Sequence, residues 1–316
     1  MKWKIVHTAL ESETLGGGGK RVEDLAGQHL LPPQPLTTIC VARTEEELKT
    51  AYALVHAQYV KQGYQAEDPK GVRFTPHFGL PTSHTLVASI GDDVVGTLTI
   101  VGDGVLGLPI EKEYPYEIKA LRERGARLAE VSCLVSRRSR DLPVLLQLLY
   151  AAYTYALHHL EVTDFCVAVT TEHQHFYKRA LLFKQIGPVK PYASCKGVSA
   201  VAMRLHLPSA EQRYLNTHTM RKMLGRFFLG KKGLQELGEH LKTPDRDALD
   251  TRLAFTRTYL DWPNLDAATV KSIEDAYAEA FHNPAGIKVT SPSPAAGSKA
   301  EHRTLLWRFL FRRPRR

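Results

Sequence analysis

Cysteine is sparse in this chain of 316 residues, and its four thiols are widely separated in the sequence. They form no Cys-x-x-Cys pair, and no zinc-ligand spacing is present, so a structural zinc site is not expected. Three of the four lie in apolar runs, which predicts inert buried thiols and fits a reducing cytoplasm. A P-loop and the Ser-His-Asp order of a hydrolase are also absent, so those classes of enzyme are excluded.

Long apolar runs are also lacking. Met1–Leu10 has no adequate apolar core for a signal peptide, which favours a cytoplasmic location. Residues 142–161 are almost wholly apolar, but they include Pro143, Gln147 and two histidines. We therefore interpret this segment as a buried core helix rather than a membrane span.

Positive charge is concentrated in the last third of the chain. The net charge is +9, and residues 209–316 alone hold 19 Lys+Arg against 12 Asp+Glu. Residues 305–311 are almost all apolar, and Arg312-Arg-Pro-Arg-Arg316 follows them. Such a tail is typical of a segment that lies on an anionic membrane surface. The alternative is that the tail folds back onto the core and that its arginines are merely solvated.

Composition and hydrophobic periodicity together predict four regions. Residues 1–37 are glycine- and proline-rich and predict a flexible segment, residues 38–208 a mixed α/β domain, 209–286 a helical extension, and 287–316 a linker and basic-aromatic tail. The predicted strands of the domain are 37–42, 84–90, 94–102, 127–136, 164–170 and 199–207. Its predicted helices are 44–61, 116–124, 142–161 and 172–183. The extension is predicted to contain helices at 210–228, 232–241, 248–259 and 267–281.

The segment Arg127–Ser136 carries the strongest chemical signal. Its alternation predicts a strand in which Glu130 and Ser132, two residues apart, share one face. A short arginine-rich loop and a long apolar helix follow it. Strand, polar loop and buried helix in this order predict a ligand at the carboxyl edge of a sheet.

This segment, together with Gly-Asp-Gly-Val-Leu-Gly-Leu-Pro at 102–109 and Tyr-Glu-Ile at 116–118, resembles the acyl-carrier-protein-dependent N-acyl amino acid synthases. That family belongs to the GNAT-like acyltransferases and is related to the acyl-homoserine lactone synthases. The resemblance covers about residues 38–208. It implies a GNAT-like mixed β-sheet flanked by helices, with the helical C-terminal extension beyond it.

The resemblance also implies roles for particular residues. Glu130 is the candidate that orients or deprotonates the acceptor amine, with a structural carboxylate paired to Arg127 or a nearby arginine as the alternative. Tyr177 matches the tyrosine that protonates the leaving thiolate, although it also fits a buried packing role. Ser132 and the backbone of Cys133, Leu134, Val135 and Ser136 are expected to bind the pantetheine arm. In the loop at 64–83, Arg73 and Phe74 are expected to cover the substrate, unless they only pack the loop.

The loop Ser136–Asp141 suggests the nature of the acyl donor. It contains no glycine, and Pro143 lies just inside the following helix, so close backbone contact with a CoA pyrophosphate is not expected. A donor on acyl carrier protein has a single phosphate, which Arg137, Arg138 or Arg140 would contact. We expect no cofactor bound by the chain itself, only acyl-phosphopantetheine on the donor protein.

The leading interpretation is therefore a long-chain N-acyltransferase that uses acyl carrier protein and an amino-acid acceptor, with no nucleic-acid partner. One alternative is an acyl-homoserine-lactone-type signal synthase, although an arginine commonly follows the serine in that branch and Cys133 stands here. The other is a non-catalytic GNAT-fold binding module that acts through its basic tail.

Overall fold

The structure is a computed structural model that describes residues 37–137, 141–216, 241 and 245–283. All of them belong to one compact unit that begins at Thr37. The flexible segment predicted for residues 1–37 lies outside the described residues except for Thr37, which begins the first strand. The linker and tail predicted for 287–316 and most of the helix predicted for 232–241 also lie outside them. Arg138 and Arg140 lie outside them as well.

A single seven-stranded sheet forms the centre of the described chain, with the strand order β1-β2-β3-β4-β5-β7-β6. Strands β4 and β5 are parallel, and every other neighbouring pair is antiparallel. The predicted mixed sheet is thus confirmed. The strands are β1 Thr37–Val41, β2 Ser83–Ile90, β3 Asp93–Gly102, β4 Leu128–Ser136, β5 Asp164–Thr170, β6 Lys184–Tyr192 and β7 Val198–His206.

Helices cover both faces of this sheet, as predicted. They are α1 Glu45–Lys61, α2 Pro115–Glu123, α3 Leu142–His158, α4 Gln174–Arg179, α5 Ala210–Asn216, α6 Arg246–Tyr259 and α7 Ala267–His282. One apolar cluster joins the sheet to α3 and includes Ile100 and Val131. The other joins it to α1 and α2 and includes Val101 and Cys133. In the part of the chain that the structure describes, no helix is long and apolar enough to cross a membrane.

Strand β6 was not predicted, because its sequence contains Gly187, Pro188 and Pro191. Proline lacks the N–H group that a central strand needs, but it is tolerated at the edge of a sheet. β6 is the last strand in the order, and its register with β7 shifts between Gln185 and Val189. The helix predicted for 172–183 is correspondingly shorter, because the chain turns towards this edge after Arg179.

The two helices at the carboxyl end of the described chain pack against the loop that follows α1. The buried guanidinium of Arg252 in α6 donates a hydrogen bond of 3.0 Å to the Phe78 carbonyl. The Tyr277 hydroxyl in α7 donates one of 2.7 Å to the Gly79 carbonyl. A Cβ atom at Gly79 would lie 2.7 Å from the Thr256 methyl group, so glycine is needed there for close packing. The helical extension therefore fixes this loop.

A buried ion pair fixes the segment between β3 and α2. Asp103 at the end of β3 is fully buried, and the Arg122 guanidinium in α2 contacts its two carboxylate oxygens at 2.7 and 2.8 Å. The same guanidinium donates to Glu111 at 2.7 Å. Arg122 is thus engaged inside the protein.

Replacement of Arg122 by Met should lower the free energy of unfolding by about 3 kcal/mol, because it leaves the Asp103 carboxylate buried without its counter-ion. Chemical denaturation of the two proteins measures this difference. Lys119→Met is the matched control: its pair with Glu123 spans 3.8 Å at the surface, and its loss should cost about 0.5 kcal/mol or less. Equal effects of the two substitutions would contradict the prediction.

Candidate active site

Strands β4 and β5 pair over only three residues and then separate. The parallel register runs from Leu128 opposite Asp164 to Glu130 opposite Cys166, and it ends there. β4 continues to pair with β3 as far as Ser136. Because backbone groups of a strand need partners, a strand that loses its neighbour is suited to receive an extended ligand. The predicted pantetheine-binding stretch, Cys133–Ser136, lies beyond this point of separation.

A β-bulge interrupts β4 directly after Ser132. Ser132 lies opposite Thr99 and Val135 lies opposite Thr97, so two residues of β4 face one residue of β3. Cys133 has a φ of 54°, in the left-handed region that residues other than glycine rarely adopt. A bulge redirects the side chains that follow it, which breaks the regular alternation predicted from the sequence.

Glu130 occupies the last paired position of β4 and is buried, with 2% of its surface exposed. The Ile110 backbone N–H donates to one carboxylate oxygen at 2.7 Å, and the Ser132 hydroxyl donates to the other at 3.0 Å. The predicted proximity of Glu130 and Ser132 is confirmed. The alternative pairing with Arg127 is wrong, because the Arg127 side chain donates to the Glu161 carbonyl instead.

Burial raises the pKa of Glu130 to about 8. The hydrogen bonds from Ile110 and Ser132 oppose that rise, whereas the negative charges of Glu113 and Glu111 add to it. A carboxylate with a pKa near the working pH is a stronger base than an exposed one and is still available in its ionised form. Glu130 therefore has the properties of a general base.

Arg73 approaches the same region from the loop after α1. Its guanidinium lies 4.5 Å from the centroid of the Tyr59 ring and donates to the Ser194 carbonyl at 2.9 Å. Burial raises the pKa of the Cys133 thiol to about 12, and the charge of Arg73 acts against that rise. Arg73 is therefore within electrostatic range of the bulge in β4.

Phe74 and Tyr177, which the sequence also singled out, lie in apolar packing. Phe74 contacts Tyr52 and Phe255 at ring-centroid distances of 4.9 and 5.1 Å. Tyr177 packs on the side of the sheet that α3 covers, with its ring 5.4 Å from that of Phe183, and burial raises its pKa to about 12. Its predicted role as a proton donor stays a prediction.

Sequence reasoning missed several groups around Glu130. The Ile110 N–H carries no side-chain signal, and only the turn Pro109–Lys112 brings it to β4. Tyr192 belongs to the unpredicted strand β6, and its pKa is raised by burial and by the charge of Glu130. Glu113 is one of three charged residues in a row, a pattern typical of a solvated surface.

This part of the chain is similar to proteins of a known family. Residues 50–206 match the family model of the N-acyl amino acid synthase FeeM. The structure of FeeM, an N-acyl amino acid synthase from uncultured soil microbes, is similar with 27% identity and a TM-score of 0.51 over 57% of this chain and 95% of that one.

Two further solved structures show a weaker similarity. The CoA-dependent acyl-homoserine lactone synthase BjaI matches with 15% identity and a TM-score of 0.45, over 68% of this chain and 99% of that one. A GNAT-family acetyltransferase from Streptococcus pneumoniae matches with 15% identity and a TM-score of 0.40, over 54% and 99%. Among curated proteins no match is found.

The raised pKa of Glu130 should appear in the pH dependence of stability. Its carboxyl group titrates near 4.5 when unfolded and near 8 when folded, so the folded state holds more protons between these values. The free energy of unfolding, relative to Glu130→Gln, should therefore fall as the pH rises from about 5 to about 8 and then level off. Denaturation at several pH values measures this. Glu123→Gln, at the surface, should show no such trend, and a flat difference for Glu130→Gln would contradict the prediction.

Proposed function

We propose that this acyltransferase, whose residues 50–206 belong to the N-acyl amino acid synthase family, moves a long-chain fatty acyl group from acyl carrier protein to the α-amine of an amino acid. The observation that carries the proposal is the position of Glu130. A buried carboxylate with a pKa of about 8 lies at the point where β4 and β5 separate, next to the stretch of β4 suited to an extended thioester arm.

The reaction requires one bond to form and one to break. The neutral amine attacks the thioester carbonyl carbon, the C–N bond forms, the C–S bond breaks, and the amine loses a proton. Glu130 takes that proton, directly or through water, because its raised pKa makes it a competent base. The leaving thiolate takes a proton to become a thiol, and Tyr177 is the residue we propose as its donor. Orientation of the two substrates supplies much of the remaining acceleration.

Glu130→Gln should lower the rate of acyl transfer by about 100-fold or more, because the amide cannot accept the proton. The amide can still accept the Ile110 N–H bond, so the fold should persist. Release of free thiol from acylated carrier protein in the presence of amino acids measures the rate, and circular dichroism checks the fold. Tyr153→Phe serves as the control, because its hydroxyl donates to the Leu207 carbonyl, at 3.3 Å. Near-normal turnover of Glu130→Gln would give Glu130 a purely structural role.

The loop between β4 and α3 supports acyl carrier protein as the donor. Helix α3 begins at Leu142 with Pro143 in its first turn, and Asp141 at its cap position makes no capping hydrogen bond. A carboxylate at this position repels a phosphate, and the loop offers no glycine for close approach. Arg137 is exposed and lies 3.5 Å from Asp93. A surface cation at this edge suits the phosphate or the acidic surface of a carrier protein.

Acyl carrier protein should therefore be a better donor than acyl-CoA, with kcat/KM higher by about tenfold or more. Charge reversal of Arg137 together with Arg138 should raise KM for the carrier protein several-fold at low salt, and added salt should shrink the difference. Steady-state kinetics with both donors measures this. Lys61→Glu, a charge reversal at the end of α1, is the control and should leave KM unchanged. Equal use of acyl-CoA would contradict the donor assignment.

A lactone synthase is the competing enzyme. That reaction consumes S-adenosylmethionine as its acceptor, and Cys133 stands where an arginine commonly follows the serine in that branch. We therefore expect amino acids, but not S-adenosylmethionine, to drive thiol release. Turnover with S-adenosylmethionine alone would favour the lactone synthase.

A further inference from the structure

We propose that Glu113 and Arg73 form the acceptor subsite and bind, respectively, the α-ammonium and the α-carboxylate groups of a free amino acid. Glu113 lies between the turn Pro109–Lys112 and α2, and Arg73 lies in the loop after α1. The inference deepens the proposed function and rests on it, because it names the charge pattern that the acceptor must have.

The two side chains form hydrogen bonds with backbone groups of two consecutive residues in one short turn. The Ala193 N–H donates to the Glu113 carboxylate at 3.1 Å, and the Arg73 guanidinium donates to the Ser194 carbonyl at 2.9 Å. This turn, Ala193–Cys195, connects β6 and β7. An anion and a cation thus both contact this short segment, at two consecutive residues.

The backbone of Glu113 is rigidly held. Its carbonyl accepts a hydrogen bond of 2.6 Å from the Lys190 ammonium. The next residue, Tyr114, is fully buried, and its hydroxyl donates to the Ala200 carbonyl at 2.9 Å. Gly187 lies against the Tyr114 ring, where a Cβ atom would come within 2.7 Å of it. Glu113 is therefore placed by the packing of α2 against β6 and β7.

One oxygen of the Glu113 carboxylate is buried and has no hydrogen-bond donor among the described residues. A buried acceptor without a donor is costly, and an incoming ammonium group removes that cost. The Glu117 carboxylate, one helical turn later, also has a buried oxygen without a donor among the described residues, but its other oxygen lies 3.8 Å from the Lys190 ammonium. Within the described chain, no such ion pair neutralises the Glu113 side chain. Glu113 is thus the carboxylate that a ligand would pair with.

The charges of Glu113 and Arg73 influence the pKa values of Glu130 and of two thiols, Cys133 and Cys195. Glu113 adds to the raised pKa of Glu130, and both Glu113 and Arg73 influence the pKa of the Cys195 thiol, in opposite directions. Arg73 also influences the Cys133 thiol at the bulge of β4. An amino acid bound between Glu113 and Arg73 enters as the zwitterion, so its ammonium group must release one proton to solvent before the neutral amine attacks the thioester, and Glu130 takes the second proton.

Binding of three kinds of probe tests this subsite on the full chain, without acyl donor. The twenty L-amino acids are titrated singly by calorimetry, and the tightest one is compared with the amine that lacks its carboxylate and the acid that lacks its amine. Glu113→Gln should weaken binding of the amino acid and the amine by about 10- to 100-fold, but binding of the acid by less than about twofold. Arg73→Gln should weaken binding of the amino acid and of the acid, but leave binding of the amine unchanged.

Glu117→Gln and Lys70→Gln are the matched controls, because they remove the same charges from the same two segments. Each should change all three affinities by less than about twofold. If Glu113→Gln loses binding of all three probes, Glu113 has a structural role. If its affinities for all three are unchanged, Glu113 is not part of the site. Either result overturns the inference. Failure of every amino acid to bind the wild-type chain at millimolar concentration also overturns it. The proposed function fails separately, if amino acids bind but accept no acyl group from either donor.

Discussion

The short pairing of β4 with β5 is the constraint on which the site depends. Three residue pairs hold the two parallel strands together, and Glu130 sits at the last of them. The bulge at Cys133 then bends β4 where β5 no longer accompanies it. A carboxylate at this point is surrounded by protein on the α1 side of the sheet, so its desolvation raises its pKa to about 8. The separation of β4 from β5 and the raised pKa of Glu130 therefore arise at the same point of the sheet.

Charges elsewhere in the domain preserve this arrangement. Arg122 neutralises the buried Asp103 and holds Glu111, which fixes the segment that carries Ile110. The Ile110 N–H in turn supports the ionised form of Glu130. Arg252 in α6 holds the Phe78 carbonyl in the loop that contains Arg73. The helices beyond the sheet thus contribute to the site, although they supply none of its proposed catalytic groups.

The order of strands and helices followed from the sequence wherever periodicity was strong. Hydrophobic periodicity predicted β2, β3 and β5 and the helix at 44–61, whose start carries a capping box at Thr44. β6 could not be predicted, because a glycine and two prolines interrupt its pattern. These residues are tolerated because β6 is an edge strand, and the position of a strand within a sheet is decided by the tertiary structure.

The sequence by itself determined the chemical types at the centre of the site. It placed Glu130 and Ser132 two residues apart on a strand, and the structure joins them by a hydrogen bond of 3.0 Å. Tertiary structure alone decided how basic Glu130 is, because desolvation depends on what surrounds a carboxylate and not on its neighbours in the chain. It also decided that Arg122 forms an ion pair with Asp103, and that the side chains of Glu113 and Arg73 form hydrogen bonds with the same turn. Those contacts join segments far apart in the chain, which no local pattern encodes.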